Sequence, residues 1–208
     1  MSIISEIEMN VRQWRTKNLS FYDDALLVGK ENHLIPLLEL LADKKLPLAF
    51  HAPNGLHIRE VDSALASLFR KAGVQSLYLS QESFDEELLG RTCPKVTPQD
   101  LGKALDILEK AGYRRQEINV YLIAGLPGQD LWLVRESILR VRRLGARPRL
   151  AFFSPVPGTP EWSRVVDRGY LPADSDPLLH NKLTFAYLWG GISRQEFDLL
   201  GDLFREDS

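Results

Sequence analysis

The sequence predicts an α/β fold built on a parallel sheet, and three observations carry that prediction. First, Ile118–Ala124 is an apolar run with hydrophobic residues on both alternating faces, as a strand flanked by other layers requires. Second, Gly125, Pro127 and Gly128 break that run at its carboxyl end, where parallel strands of such folds place their ligand sites. Third, the helix-stopping glycines Gly73, Gly112 and Gly145 stand 39 and 33 residues apart, a spacing that suits one strand plus one helix. Units of this kind connect by right-handed crossovers into a parallel sheet, either curled as a barrel or left open.

Taken in order, Ile3, Ile4, Ile7, Val11 and Trp14 recur at helical spacing, so the chain opens on an amphipathic helix with no strand before it. Leu19–Val28 reads as a strand interrupted by Asp23 and Asp24. Asn32 caps a helix carrying Leu34, Leu37, Leu38 and Leu41, with Pro36 confined to its first turn. Pro47–His51 is a second strand, and Pro53, Asn54 and Gly55 turn it towards a helix with Val61, Leu65, Leu68 and Phe69. Ser76–Ser80 is the third strand, followed by a helix capped by Thr97, with Pro98 in its first turn and Asp100 completing the cap. After Ile118–Ala124 comes a helix with Leu131, Val134, Ile138, Val141 and Leu144, then a fifth strand, Arg149–Ser154. Regularity fades at Pro155–Pro160, and residues 174–180 read as loop. Ser193 and Glu196 form a capping box for a last helix with Phe197, Leu200 and Phe204. The expected organisation is therefore a main body over residues 1–170 and a loop and helical extension over 171–208.

Composition narrows the function classes. With 26 basic and 28 acidic residues the net charge is −2, which gives no nucleic-acid signal and no attraction to an anionic membrane. No apolar run approaches the roughly 20 residues of a spanning helix, and no basic-then-apolar leader is present, so a cytoplasmic location is expected. A single cysteine, Cys93, excludes an internal disulfide and a cysteine-built metal site made by this chain alone.

The strand ends collect the polar groups: Asp23 with Asp24, His51 with Asn54, Ser80 with Glu82, Gly125 to Gly128, and Ser154. Asp23 and Asp24 either terminate a strand or act as paired carboxylates. His51 and His57 flank a turn instead of lying one helical turn apart, which disfavours a metal pair. Ser80 and Glu82 alternate on one strand face, and a carboxylate there suits sugar hydroxyls or an ammonium.

At this point the residues resemble the radical S-adenosylmethionine (SAM) enzymes, particularly the group often joined to a cobalamin-binding domain. The resemblance runs in order through FYDDALL (Phe21–Leu27), FHAPNGLH (Phe50–His57), LYLSQES (Leu77–Ser83), LLGRT (Leu88–Thr92), YLIAGLPGQ (Tyr121–Gln129) and SPVPGTP (Ser154–Pro160). It implies a partial (β/α) barrel of about five parallel strands with the first strand missing. It also implies SAM held against a 4Fe-4S cluster and cleaved reductively to a 5′-deoxyadenosyl radical. By the same resemblance Asp23 and Asp24 contact the SAM amino group, Ser80 and Glu82 its ribose, and Arg91 its methionine carboxylate. Gly125, Leu126, Pro127 and Gly128 would lie beside adenine, with Phe153 and Ser154 offering backbone to the adenine edge.

The sequence departs from that family at the cluster. The family's CxxxCxxC motif follows the first barrel strand, and neither the strand nor the cysteines are present, so the chain holds no metal ligands of its own and is expected to be an inactive carboxyl-terminal part. A 4Fe-4S cluster would come only through an amino-terminal segment or subunit docked at the exposed sheet edge, and cobalamin stays open as a further cofactor. The substrate is not legible. Two other functions stand beside this one: a cluster-free SAM-binding or scaffold module partnering a cluster-bearing subunit, and a sugar-phosphate or aldolase-type barrel. The second is disfavoured because no lysine ends a strand.

Overall fold

The computed structural model describes residues 2–85, 88–90, 96–97, 99–181, 193, 195 and 198. Five parallel strands form one sheet in the order β1-β2-β3-β4-β5. They are β1 (Asn18–Ser20), β2 (Ala49–His57), β3 (Val74–Glu82), β4 (Ile118–Ala124) and β5 (Arg147–Phe152). Between and around them run α1 (Ile3–Trp14), α2 (Leu34–Lys44), α3 (Ser63–Ala72), α4 (Asp100–Lys110), α5 (Leu131–Arg143) and α6 (Pro160–Asp167). By internal contacts the chain divides into two compact units, Met1–Tyr121 with Arg140–Arg149, and Leu122–Leu139 with Leu150–Ser208. No described helix is long and apolar enough to cross a membrane.

In the first unit the helices form where periodicity and caps agree. Asp62 accepts from the Leu65 backbone N–H at 2.8 Å and starts α3, and Gly73 ends it with φ of 86°, a conformation that favours glycine. Leu65, Ala66, Phe69 and Ala72 lie on one face of α3 and are buried. Phe50 and Ala52 of β2 and Leu77 and Leu79 of β3 are buried likewise, whereas the alternate residues His51, Ser76, Tyr78 and Ser80 are only partly covered. This alternation gives the sheet one closed face and one face open to ligands. Tyr113, whose hydroxyl donates to Val74 O at 2.8 Å, ties the chain after α4 to the start of β3.

Several elements differ from the sequence expectation. The first strand stops at Ser20, because Asp23 and Asp24 end it and residues 24–29 coil into turns that close at Gly29, with φ of 65°. Leu26 and Leu27, apolar enough to suggest strand, are buried in those turns. Asn32 lies in a short 3-10 turn, and His33 takes the N-cap position of α2. Pro53–Gly55 do not turn the chain but bulge within β2: Ala52 pairs with Leu77 and Leu56 with Leu79, so three residues stand opposite Tyr78 alone. Proline, lacking an N–H, fits such a gap in the ladder.

Of the α1 stripe only Ile7 is buried, and Ile3 and Trp14 are exposed. Helix α4 begins at Asp100 with Gln99 at its N-cap; the Thr97 backbone N–H still donates to Asp100 Oδ2 at 2.9 Å, which preserves half of the expected cap, and Pro98 lies outside the described residues. The fifth strand is displaced to Arg147–Phe152. In the second unit, residues 160–167 form a helix where the sequence reading found fading regularity: Thr159 Oγ1 caps the Trp162 N–H at 3.1 Å and Pro160 opens the first turn. Val165 and Leu171 anchor that unit's small core, with Phe153, Trp162 and Tyr170 against them. Glu196, Phe197, Leu200 and Phe204 lie outside the described residues, as does Cys93.

Candidate functional site

At the carboxyl ends of β1, β2 and β3 the first unit holds a cavity of about 520 Å³. That volume lies within the range of small-molecule and cofactor sites. One wall is the turn segment 24–29, a second is the end of β2 with Gly55, Leu56 and His57, and a third is Ser80 and Glu82 of β3. The wall of turns is fastened from behind by His33, whose ring nitrogens lie 3.0 Å from Gly29 O and 3.1 Å from Leu26 O. Asn54 braces its front, donating to Tyr22 O and to Asp24 Oδ1, each at 3.1 Å. That second bond orients Asp24 in the cavity wall.

The lining is acidic. Asp24, Glu31, Glu60 and Glu82 are acidic lining residues, and among the described residues no lysine or arginine lines the space. Lys30 is buried beside the cavity wall, but its ammonium is engaged by Glu60 O at 2.6 Å and Asp62 Oδ2 at 2.9 Å. The Leu65 backbone N–H and then Lys30 hold the Asp62 carboxyl below the usual carboxylate range. The described lining therefore complements positive charge, with a serine and an imidazole as further polar groups. His57 also lines the cavity, and its Nδ1 is buried with no hydrogen-bond partner among the described residues.

Glycine at position 55 is set by close approach. A Cβ there would stand 1.8 Å from Ser80 Oγ, 3.2 Å from Ser80 Cβ and 3.4 Å from Tyr121 Cδ2. The β2 bulge thus presses backbone directly against the Ser80 side chain. Glu82, the last residue of β3, has φ of 62°, a left-handed conformation uncommon for a non-glycine residue. Backbone conformations of this kind cluster at functional sites.

The sequence-selected residues separate into groups. Asp24, Ser80 and Glu82 converge on this cavity. Asp23 does not: it lines a second groove of about 290 Å³ formed with α1, Leu19 to Tyr22 and the start of α2. His51 is not at a strand end, and its ring bonds Ser76 Oγ at 2.9 Å and Asn18 Oδ1 at 3.0 Å, a structural role within the sheet. Arg91 lies outside the described residues. In the second unit, Gly125 and Gly128 take φ of 87° and 77°, and Gln129 bridges the loop by accepting from the Leu126 N–H and donating to Ile123 O. A Cβ at Gly128 would lie 2.7 Å from the Arg168 guanidinium. Pro127 gives that loop its fixed turn. The Phe153 N–H donates to Ala124 O at 2.8 Å, and Ser154 Oγ donates to His180 O.

Sequence reasoning passed over Gly55, Glu31 and Glu60 as lining residues and weighed His57 only as a metal ligand. Among the described residues no group of three His, Cys, Asp or Glu side chains is placed to hold a metal ion. The signal lay in the N-G-L-H string after a proline, which places glycine and imidazole where β2 bulges.

A parallel α/β sheet whose strand ends enclose an acidic, cofactor-sized cavity places the chain in the class of α/β partial-barrel proteins. The Radical SAM superfamily model matches residues 4–141, and the chain belongs to that superfamily. No curated protein matches the sequence. Among solved structures the chain is similar to the radical S-adenosylmethionine methyltransferase TsrM from Kitasatospora setae with cobalamin and a [4Fe-4S] cluster bound, at TM-score 0.65 and 18% identity, covering 80% of this chain and 33% of TsrM. It is similar to the radical SAM enzyme coproporphyrinogen III oxidase (HemN) from Escherichia coli, at TM-score 0.54 and 16% identity, over 90% of this chain and 40% of HemN. Methylornithine synthase (PylB) gives TM-score 0.58 and 17% identity, over 90% of this chain and 47% of PylB. These likenesses establish the fold. The chain spans about a third of TsrM and less than half of the other two.

Proposed function

We propose that the cavity of the first unit binds SAM, and that this chain supplies SAM-binding residues to a radical SAM enzyme. The observation that carries the proposal is the convergence of Asp24, Ser80 and Glu82 on one cavity with no cationic lining residue among those described. SAM brings both a sulfonium and an ammonium, so a described lining that carries Asp24, Glu31 and Glu82 and no basic group complements it, Glu60 being shared with Lys30 at 4.0 Å. In this assignment Glu82 and Ser80 accept and donate hydrogen bonds at the ribose hydroxyls, and Asp24, held by Asn54, faces the ammonium. Asp23 keeps the weaker claim to the ammonium, because it lines a different groove. Arg91 is assigned to the methionine carboxylate, and Gly125, Leu126, Pro127, Gly128, Phe153 and Ser154 to adenine, by the family resemblance.

The iron–sulfur cluster does not fit the residues present. One cysteine occurs in 208 residues, and a 4Fe-4S cluster of this family takes three thiolates, so its ligands would have to come from outside this sequence. No step of radical formation is therefore assigned to side chains of this chain. Among the described residues β1 pairs only with β2, and we assign its other edge as the side that receives a cluster-bearing segment or subunit. TsrM, which its structure shows with cobalamin, makes cobalamin the second cofactor to test on the assembled enzyme. Residues 171–208 are taken as an extension beyond the barrel, and the cytoplasm as the site of action. Titration of the chain with SAM tests the proposal: saturable binding that weakens in Asp24→Asn and Glu82→Gln supports it, and heat-free titrations, or unchanged affinity in both variants, reject it.

A further inference from the structure

The open face of the sheet in the first unit carries a second, differently charged surface beside the cavity. Tyr78 of β3 and Tyr121 of β4 stack with ring centroids 5.2 Å apart at 27°. Tyr121 is fixed there by its hydroxyl, which donates to Pro53 O in the β2 bulge at 3.0 Å. From β5, the Arg149 Nε donates to Oδ1 of Asn119, two residues before Tyr121 on β4, at 2.9 Å. Asn119 and Tyr121 alternate on β4, so the guanidinium, Asn119 and the tyrosine pair share one face of the sheet. Burial raises the Tyr121 hydroxyl pKa, Tyr78 adds to that effect, and Arg149 opposes it. Arg149 is exposed and has no acidic partner among the described residues. Its terminal N–H groups, on the edge away from Nε, are the fork that a carboxylate occupies.

This surface is continuous with the cavity. Ser80 lines the cavity and lies two residues beyond Tyr78 on the same strand face, and Gly55 lies between Ser80 and Tyr121. The cavity is acidic and the surface beside it basic and aromatic, so the two accept ligands of opposite charge.

We propose that Tyr78, Tyr121 and Arg149 form the substrate platform, and that the substrate is a planar aromatic ring bearing a carboxylate. The ring lies on the tyrosine pair and the carboxylate meets the Arg149 fork, next to the cofactor held in the cavity. This deepens the SAM-binding reading and rests on it for the word substrate. Ring stacking and a charge-assisted hydrogen bond act together, so removal of either partner lowers affinity about ten-fold.

Three probes separate the components when titrated into the full chain by calorimetry: indole-3-carboxylate, the planar cation 5-amidinoindole, and the non-planar anion cyclohexanecarboxylate. Indole-3-carboxylate is expected to bind at least ten-fold more tightly than either of the others. Arg149→Gln and Tyr78→Leu are each expected to weaken it about ten-fold while SAM affinity stays as in the parent. Arg149→Lys, which keeps the charge without the planar fork, is expected to fall between parent and Arg149→Gln. Equal binding of the cation, or indole-3-carboxylate affinity that is unchanged in folded Arg149→Gln and Tyr78→Leu, overturns the platform. Binding of indole-3-carboxylate with no binding of SAM supports the platform and instead removes the cofactor assignment of the cavity.

Discussion

Gly55→Ala is the sharpest test of how the cavity is built. The added methyl would meet Ser80 Oγ at 1.8 Å, Ser80 Cβ at 3.2 Å and Tyr121 Cδ2 at 3.4 Å. The hydroxyl escapes the first contact by rotation about χ1, but the Cβ contact requires a small backbone or side-chain shift. Overpacking of this kind costs about 1–3 kcal/mol, and a mobile hydroxyl puts the cost near the lower end. Replacing glycine also restricts the unfolded chain, which returns roughly 0.4–1 kcal/mol. The net loss is therefore on the order of 1 kcal/mol, a fall in Tm of about 2–4 °C for a chain of this size. The informative comparison is the double mutant, because Ser80→Ala removes the hydroxyl that the new methyl strikes. In that background Gly55→Ala should cost less than roughly 0.5 kcal/mol, leaving a coupling of at least about 0.5 kcal/mol between adjacent sites. Urea unfolding of the four proteins measures both quantities. If Gly55→Ala costs the same with and without the Ser80 hydroxyl, the packing that defines this wall has been misassigned.

Three further outcomes follow from the same structure. Tyr113→Phe leaves the buried Val74 carbonyl without its donor at 2.8 Å and should cost about 1–3 kcal/mol in urea unfolding; a loss within error would show that the bond contributes nothing. Asp62→Ala removes the α3 cap and one partner of Lys30, costing roughly 1–2 kcal/mol near pH 7. Because the folded-state pKa of Asp62 is depressed, its contribution is full above the ordinary carboxylate range, and the gap between parent and variant should close as pH falls through the folded value; a gap constant down to strong acid would contradict that sign. Anaerobic reconstitution with iron and sulfide should leave this chain with iron near zero and no broad thiolate-to-iron absorbance, and roughly four irons per chain would refute the conclusion drawn from its single cysteine.

The layout of strands and helices was legible where two signals coincided. For α3, a polar cap, a periodic apolar face and a terminal glycine all agree, and for β4 the apolar run ends at its glycine. Legibility failed where burial and secondary structure part company. Leu26 and Leu27 are as buried as strand residues but sit in turns, because the cavity wall they form needs apolar backing without extended backbone. Pro53–Gly55 carries every mark of a turn, and only pairing with β3 on one side and contact with Tyr121 on the other show that it is a bulge. Helix α6 was hidden in a proline-rich stretch although Thr159 and Pro160 together are a start signal. At the site, Ser80 and Glu82 were readable from alternation on one strand. His57 was not, since its importance lies in a buried nitrogen without a partner, which no local spacing records. Asp23 and Asp24 are adjacent in sequence and yet line different spaces, a distinction that depends on Asn54 reaching back from β2.

The central claim, that the acidic cavity binds SAM through Glu82, is tested most directly by calorimetric titration of SAM into the parent chain and into Glu82→Gln, with ligand-free melting measured alongside. Loss of a charge-assisted hydrogen bond worth about 1.5–3 kcal/mol should weaken SAM binding roughly ten-fold or more. The ligand-free Tm should stay unchanged, because Glu82 lines the cavity and makes no ion pair with a described residue. Equal affinity in the two proteins, or a variant that loses stability without SAM in proportion to its loss of binding, would contradict the assignment.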